Sequence, residues 1–187
     1  MTIEEIYQQH CISKSDINEH LPLLREYASK CSSITEMGVR WIVSTWAFVA
    51  AKPQKITSID IKHPKTWNAD DKFNILVEKC SENNIDFKFI EGDTRKIKIE
   101  KTDFLFIDTL HNYEQIKEEL RLHSQNVNKY IAFHDTVSYA KRNETGTGIG
   151  ILPAIKEFLL ENANTWKIIE DRKNNNGLLI IERETNE

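Results

Sequence analysis

An apolar run that stops at an aspartate is the stretch of this chain best suited to chemistry. Residues 104–107 read Phe-Leu-Phe-Ile, and Asp108 follows directly, with His111 and Tyr113 close behind. A short apolar run bounded by a polar break indicates a strand that is buried on both faces. Such strands belong to parallel sheets, in which ligands bind beyond the carboxyl ends of the strands. The pattern therefore places Asp108 at the tip of a central strand, where it can meet a ligand.

Two further predicted strands end in residues that suit a cofactor. Glu36 and Gly38 end the first strand, and a glycine there lets the backbone approach a ligand closely. Asp60 ends the second strand, at about the spacing at which an acidic residue accepts hydrogen bonds from ribose hydroxyls. The chain lacks G-x-G-x-x-G, and the charge of Glu36 would repel a pyrophosphate. These strand tips favour a cofactor that carries an amino group and no phosphate.

The loop after the third predicted strand, Glu91-Gly92-Asp93-Thr94, offers polar groups to the edge of a purine. Each of the acidic residues at the strand tips has an alternative role as a helix cap or a solvated loop residue. Acidic tips on three consecutive strands favour a shared cofactor site over that alternative.

Alternating strand-like and helix-like segments predict the scaffold that positions these residues. Two short helices are expected in the first thirty residues, with Ser15 and Asp16 as a candidate cap for the second. The predicted strands are residues 33–37, 55–61, 86–90, 103–108, 129–134, 166–170 and 178–183. The predicted helices of the core are residues 41–51, 68–83, 112–124 and 152–161, with Asn68–Asp71 and Asn112–Gln115 as cap pairs. This order predicts a doubly wound α/β sheet that ends in a hairpin with one antiparallel strand.

Length and composition exclude several classes of protein. The chain has 187 residues and a net charge of -4, which argues against a nucleic-acid-binding surface. We expect a single domain over residues 1–187, with N-terminal helices at 1–31 and an α/β core at 32–187. No segment approaches the roughly 20 apolar residues of a membrane span, and the acidic N-terminus is not a signal peptide. The three separated cysteines are expected to be free thiols, which favours a reducing, cytoplasmic location.

The strand-tip residues, taken in order, resemble those of a known family. Glu36-x-Gly38, Ser44-Thr45, Asp60, Gly92-Asp93, Ile107-Asp108-x-x-His111-x-Tyr113-Glu114 and Phe133-His134-Asp135 are similar to the pattern of class I S-adenosylmethionine-dependent methyltransferases. Within that class the chain most resembles the small-molecule and sugar O-methyltransferases near the cephalosporin-hydroxylase-like group. The resemblance runs from about residue 34 to the C-terminus. It implies a Rossmann-like, doubly wound sheet of seven strands whose last strand is antiparallel.

The resemblance implies that S-adenosylmethionine is the cofactor. Asp108 would then lie between the cofactor and the methyl acceptor. The implied contacts run from the methionine part to the adenine: Glu36 and Gly38 at the methionine, Ser44 at its carboxylate, Asp60 at the ribose, and Asp93 with Thr94 at the adenine.

Asp108 and Asp135 end neighbouring strands in the implied fold. Two such carboxylates would bind Mg²⁺ or another divalent cation, which would hold an acceptor hydroxyl and lower its pKa. His134 is a candidate third ligand, and His111 is a candidate general base on the same hydroxyl. The candidate catalytic residues are therefore Asp108, His111 and His134. In the alternative without a metal, Asp108 meets only the ammonium group of the cofactor, and His111 only stabilises the turn at Asn112.

Four positions depart from the family pattern. Trp41-Ile42 stands where a second glycine is usual, and Thr109-Leu110 stands in place of Gly-Asp. His134 stands where metal-binding relatives often have an acidic residue, and residues 126–129 replace a Gly-Gly turn. The first departure bears on the pose of the cofactor, and the others bear on the metal.

The glycine-rich segment of residues 145–150 resembles a phosphate loop only superficially, since it lacks the lysine of a P-loop. We expect it to act as a mobile lid over the acceptor. Lys141 and Arg142 beside it either meet an anionic group or are solvated. Trp67 is a candidate to flank the adenine or to cover the pocket.

The leading hypothesis is an O-methyltransferase that acts on a hydroxyl of a small polar acceptor, with a sugar or glycoside favoured. The expected partner is therefore a small molecule or glycan and not a nucleic acid. The amphipathic N-terminal helices are candidates for contacts in a homo-oligomer. One alternative is a nicotinamide-dependent oxidoreductase on the same sheet, against which the missing G-x-G-x-x-G counts. Another alternative is a non-catalytic cofactor-binding domain, which the fold alone does not exclude.

Overall fold

The computed structural model describes residues 1–184, so residues 185–187 of the predicted domain lie outside the described part. Its strands are β1 Ser33–Met37, β2 Lys55–Asp60, β3 Asp86–Glu91, β4 Thr102–Ile107, β5 Val127–His134, β6 Trp166–Arg172 and β7 Leu178–Arg183. They form one seven-stranded sheet in the order β3-β2-β1-β4-β5-β7-β6. β7 alone runs in the opposite direction to the other six strands and is antiparallel to both β5 and β6. The predicted Rossmann-like sheet with an antiparallel last strand is confirmed.

Helices cover both faces of the sheet. They are α1 Ile3–Ile12, α2 Leu21–Ala28, α3 Val43–Ala50, α4 Asp70–Glu82, α5 Tyr113–His123 and α6 Leu152–Glu161. Alternate residues of β4 point to opposite faces, so that Phe104 and Phe106 pack beneath α3 while Leu105 and Ile107 pack beneath α5 and α6. No helix within residues 1–184 is long and apolar enough to cross a membrane.

Three predicted helix starts can be compared with the structure. Asn112 caps α5 as predicted, since its side chain accepts a hydrogen bond from the Gln115 amide at 2.8 Å. The Asn68 cap is wrong, because Asn68 adopts a left-handed φ of 56° and ends a 3-10 turn before α4 begins. The cap at residues 15–16 is also wrong, because a 3-10 turn at Asn18–His20 intervenes before α2.

The turn between β6 and β7 fastens the N-terminal segment to the carboxyl edge of the sheet. The Asn175 side-chain amide donates to the Ser15 carbonyl at 2.9 Å, and Asn175 Oδ1 accepts from the Glu19 amide at 3.1 Å. His20 Nε2 lies 3.0 Å from the carbonyls of Asn174 and Asn175. The segment between α1 and α2 is thereby held beside the strand tips.

A backbone contact between Gly38 and Asp108 joins the tips of β1 and β4. Gly38 has a φ of +86°, and a Cβ atom added to it would lie 1.9 Å from the Asp108 carbonyl oxygen. The Asp108 amide donates to the Met37 carbonyl at 2.8 Å. Since no side chain fits between the two backbones, glycine is required at this position.

Glu36 lies just before this contact and is fully buried. Its carboxylate accepts hydrogen bonds from the hydroxyls of Ser44 at 2.6 Å, Ser58 at 2.7 Å and Thr45 at 2.9 Å. Burial raises the pKa of Glu36 to about 7, although the three hydroxyls oppose that shift. The network ties the start of α3 to β1 and β2.

Gly38→Ala should destabilise the protein by roughly 3 kcal/mol or more, since it combines a left-handed φ with a clash against backbone. Urea unfolding measures this loss. Gly146→Ala is the matched control, because Gly146 has a φ of +73° with nothing within 4 Å of an added Cβ. The control should lose only about 1 kcal/mol. Equal losses in the two variants would contradict the role given to the Gly38 contact.

Glu36→Gln should change how stability depends on pH. The pKa of Glu36 is about 7 in the folded protein against an ordinary value of 4.5. Between these pH values the folded state therefore holds a proton on Glu36 that the unfolded chain has released. As the pH rises from about 5 to 8, the free energy of unfolding should therefore fall by roughly 2 to 3 kcal/mol more in the wild type than in Glu36→Gln. Urea unfolding at both pH values measures the difference. Both proteins contain the same histidines, so the contribution of histidine titration cancels in the comparison. Parallel pH profiles would refute the buried titration.

Candidate functional site

A cavity of about 660 Å³ opens at the carboxyl edge of the sheet. Its walls come from the segments that follow β1 to β5, together with Asp16, Ile17 and Asn176. Glu36 and His134 do not line the cavity, because both side chains are buried behind it. The predicted site residues that line it are Gly38, Ser44, Asp60, Asp93, Thr94, Asp108, His111 and Asp135.

Three side chains converge at the floor of this cavity. His111 Nε2 lies 2.9 Å from Asp135 Oδ2 and 3.2 Å from Asp108 Oδ1. One ligand atom from each residue can be chosen so that all three lie within 4.8 Å of one another. Within residues 1–184 this is the one cluster of at least three His, Cys, Asp or Glu side chains that could hold a metal ion.

The backbone explains how these residues meet. Asp108 directly follows β4, and His111 lies just before the Asn112 cap of α5. Asp135 directly follows β5 with a φ of +60°, which turns the chain sharply out of the sheet. Since β4 and β5 are parallel neighbours, both carboxylates emerge at the same edge.

The cluster shifts the pKa values of its members. Burial opposes the charged form of His111, but hydrogen bonds to Asp108 and Asp135 outweigh burial and raise its pKa to about 10. Burial also disfavours the charged form of Asp108, yet the charges of His134 and His111 hold its pKa well below the usual range. The carboxylate of Asp108 is therefore anionic at neutral pH.

His134 approaches the same carboxylates from the buried side. Its Nε2 lies 3.1 Å from the Asp16 carbonyl, so that nitrogen carries a proton, because a carbonyl can only accept. Its Nδ1 lies 3.4 Å from Asp108 Oδ1 and 3.5 Å from Asp135 Oδ2. Burial lowers the pKa of His134, but the two aspartates outweigh burial and raise it to about 9.

One buried carboxylate oxygen of this cluster, Asp135 Oδ1, has no hydrogen-bond partner in the described part of the chain. Unpaired buried polar atoms are costly, and their presence at a site calls for an explanation such as a bound ion. Carboxylate oxygens together with an imidazole nitrogen form a donor set that divalent cations accept. The residues present therefore fit a divalent cation.

The residues predicted to bind a cofactor already make contacts within the protein. The Asp60 carboxylate accepts hydrogen bonds from the backbone amides of Val39 at 2.7 Å and of Arg40 and Lys62 at 3.0 Å. Because a carboxylate offers about four acceptor positions, one remains open. The Ser44 hydroxyl donates its proton to Glu36, so only its lone pairs face the cavity.

Asp93 and Thr94 are held in different ways. Asp93 pairs with the Arg95 guanidinium at 3.0 Å, and the bonds to Arg95 lower its pKa. The Thr94 hydroxyl donates to Glu119 at 2.5 Å. Glu119 is fully buried, and it also accepts from Thr109 Oγ1 at 2.9 Å and from Gln115 Nε2 at 2.7 Å.

Sequence reasoning missed two carboxylates that shape the site. Glu119 interrupts the apolar face that Ile116 and Leu120 form on α5, and a charge on such a face was a readable signal. Glu144 lies 2.5 Å from His111 Nδ1, although the two residues are far apart in the sequence. No periodicity marks a loop residue such as Glu144.

The comparisons with known proteins concern the fold. No protein-family model and no curated protein sequence matches this chain. Solved structures do match. A candidate caffeoyl-CoA O-methyltransferase from Staphylococcus aureus superposes with a TM-score of 0.68 at 14% identity, over 98% of this chain and 93% of that one.

Two further matches contain the cofactor or its demethylated product. An O-methyltransferase from Bacillus cereus in complex with S-adenosylhomocysteine (SAH) matches with a TM-score of 0.65 at 13% identity, over 97% of this chain and 90% of that one. The O-methyltransferase TomG from Streptomyces achromogenes, in complex with S-adenosylmethionine, matches with a TM-score of 0.62 at 13% identity, over 93% and 82%. At such low identity these likenesses establish architecture. The chain has the fold of the class I S-adenosylmethionine-dependent methyltransferases, as the resemblance of its strand-tip residues predicted.

Proposed function

We propose that this chain is an S-adenosylmethionine-dependent O-methyltransferase that acts on a hydroxyl of a small polar acceptor, with a sugar or glycoside favoured. A divalent cation held by Asp108, His111 and Asp135 assists the reaction. The observation that carries the proposal is the convergence of these side chains at the floor of a 660 Å³ cavity, beside the Gly38 turn. That volume lies within the range of known ligand pockets, roughly 300–1,000 Å³.

The cofactor side of the cavity is suited to a nucleoside. Asp60 is held rigidly by three backbone amides and has an acceptor position left for a ribose hydroxyl. Ile61 and Leu110 line the cavity with 62% and 49% of their surface exposed, and they offer apolar contacts to a flat ring. When bound, the cofactor supplies an electrophilic methyl group, and the protein supplies its orientation toward the acceptor.

The geometry suits His111 to binding a cation better than to acting as a general base. Its Nε2 points between Asp108 and Asp135, and its Nδ1 faces Glu144, so neither nitrogen is free to take a proton from an acceptor. Asp135 Oδ1 has no hydrogen-bond partner among residues 1–184, which favours a cation at this carboxylate. When bound, a divalent cation lowers the pKa of a hydroxyl that it coordinates.

The mouth of the cavity suits a polar acceptor with a flat apolar side, as a sugar ring has. Trp41 lines the cavity with 42% of its surface exposed, and the Arg40 guanidinium lies 4.0 Å from the centre of its ring. An exposed indole offers both an apolar face and an N–H donor. Asp16, Tyr139 and Asn176 add polar groups around it.

The cofactor prediction is tested by calorimetry with SAH. The wild type should bind SAH with a micromolar Kd and should not bind NAD⁺, since the β1 turn lacks G-x-G-x-x-G. Asp60→Asn should weaken SAH binding about 10-fold or more, because it removes the charge that holds the ribose and the loop amides. Asp71→Asn, at an exposed position of α4, is the control and should leave the Kd unchanged. Absence of SAH binding in the wild type would refute the proposed function.

The role of the cation is tested by methyl transfer to a panel of sugars and glycosides. EDTA should abolish turnover, and added Mg²⁺ should restore it. Asp135→Asn should lower kcat/KM by about 100-fold or more while SAH affinity persists, because the lost ligand orients the acceptor and not the cofactor. Asp71→Asn again serves as the control. Full turnover in EDTA would instead support the alternative in which Asp108 meets only the cofactor's ammonium group.

A further inference from the structure

The loop between β5 and α6, residues 136–150, brings a carboxylate to the far side of His111. Glu144 Oε1 lies 2.5 Å from His111 Nδ1 and also accepts from the His111 backbone amide at 3.3 Å. No other hydrogen bond or ion pair of the Glu144 side chain occurs within the described residues. We call this segment the lid loop.

The lid loop has a defined shape that places Glu144 there. Arg142 and Ile149 form an isolated antiparallel bridge. Inside that bridge the Asn143 amide donates to the Gly148 carbonyl at 3.0 Å, and Asn143 Oδ1 accepts from the Gly148 amide at 3.0 Å. Glu144 therefore lies near the tip of a small closed turn.

Two further contacts attach the lid loop to the start of α5, one at His111 and one at Tyr113. The Tyr139 ring stacks on the His111 ring, with centroids 4.6 Å apart and an angle of 16° between the planes. The Tyr113 amide donates to the Ile149 carbonyl at 3.1 Å. The start of α5 and the lid loop are therefore connected at three points, of which Glu144 alone reaches the Nδ1 atom of His111.

We propose that Glu144 is a positioning residue that keeps a proton of His111 on Nδ1, so that the proton that a cation displaces is the one on Nε2, between Asp108 and Asp135. The inference rests on the cation site of the proposed function. A carboxylate only accepts hydrogen bonds, so without a cation both His111 nitrogens carry protons, Nδ1 toward Glu144 and Nε2 toward the two aspartates. A hydrogen bond of this kind sets the tautomer and the orientation of a ligating imidazole and makes it a better ligand.

A coupling between the lid loop and the cation follows from this arrangement. If the lid loop orients His111 for the cation, then a bound cation must stabilise the lid loop by the same free energy. Glu144 would in this way join the closing of the acceptor pocket to the loading of the site.

The first test measures Mn²⁺ affinity from the electron paramagnetic resonance signal of the free ion. Glu144→Ala should weaken binding about 10- to 100-fold, as expected when the partner of a ligating histidine is lost. The Mn²⁺ affinity of Glu144→Gln should lie between those of the wild type and Glu144→Ala, since the glutamine carbonyl can still accept from Nδ1 but carries no charge. Glu114→Ala is the control for loss of a nearby charge, because Glu114 is exposed at the start of α5.

Two further readouts distinguish positioning from a general loss of structure. In the Mg²⁺-loaded wild type, the ¹⁵N spectrum of His111, assigned by comparison with His111→Asn, should show a proton on Nδ1. Glu144→Ala should lose that preference. Mg²⁺ should also slow tryptic cleavage of the lid loop at Lys141 and Arg142 in the wild type, and this protection should disappear in Glu144→Ala.

The outcomes separate this inference from the proposed function. Unchanged Mn²⁺ affinity in Glu144→Ala, or a proton on Nε2 of His111 in the Mg²⁺-loaded wild type, would overturn the role of Glu144. A wild type that binds SAH but no Mn²⁺ would overturn the role of Glu144 together with the cation site, and cofactor binding would stand. A wild type that binds Mn²⁺ but no SAH would refute the methyltransferase proposal, while the comparison of Glu144 variants would still decide the positioning role.

Discussion

The contact between the backbones of Gly38 and Asp108 is the constraint on which the site depends. A carbonyl oxygen occupies the space where any other residue at position 38 would have its Cβ atom. Two consequences follow from this close approach. The turn that leads from β1 into α3 lies directly against the tip of β4, and the Asp108 side chain is directed into the cavity instead of continuing the strand. The turn after β1 and the candidate catalytic carboxylate are thereby held together, because neither backbone can move without disturbing the other.

The immediate partners of the buried carboxylates determine which of them carry charge. Glu36 and Asp108 lie close together, and burial penalises the anionic form of both. Hydroxyl groups surround Glu36, and because they bear no charge they leave its pKa at about 7. Imidazoles surround Asp108, and their charge keeps its pKa low. The protein therefore keeps Asp108 ionised at the carboxyl edge of the sheet, where it faces the cavity, while Glu36 behind it is a structural group that ionises only near neutral pH.

The sequence predicted the carboxyl ends of β1 to β5 to within one residue, but it did not predict the directions of the side chains that follow them. Strand β7, Leu178–Arg183, was predicted to the residue, and the tips at Asp108 and Asp135 were placed correctly, because apolar runs and polar breaks are local properties. His134 was expected to complete the cation site, yet in the structure His111 faces the cavity and His134 lies behind the carboxylates. Which of two nearby histidines faces a cavity depends on the turn after each strand and on packing against distant segments. Glu144 shows the same limit, because its position depends on the fold of a loop without periodic pattern.

Ile42 belongs to the Trp41-Ile42 pair that stands where the methyltransferase pattern usually has a second glycine. It adopts a left-handed φ of 57°, a conformation that costs a β-branched residue about 1 to 3 kcal/mol. Its side chain is also fully buried, and burial of an isoleucine contributes about 1.5 to 3 kcal/mol, which offsets that strain. The loop can therefore keep its glycine-like path without a glycine. Along that path the amides of Val39 and Arg40 turn toward Asp60 and not into the cavity. Because these amides are already engaged, any contact that this edge makes with the proposed cofactor would come from the Asp60 carboxylate that holds them.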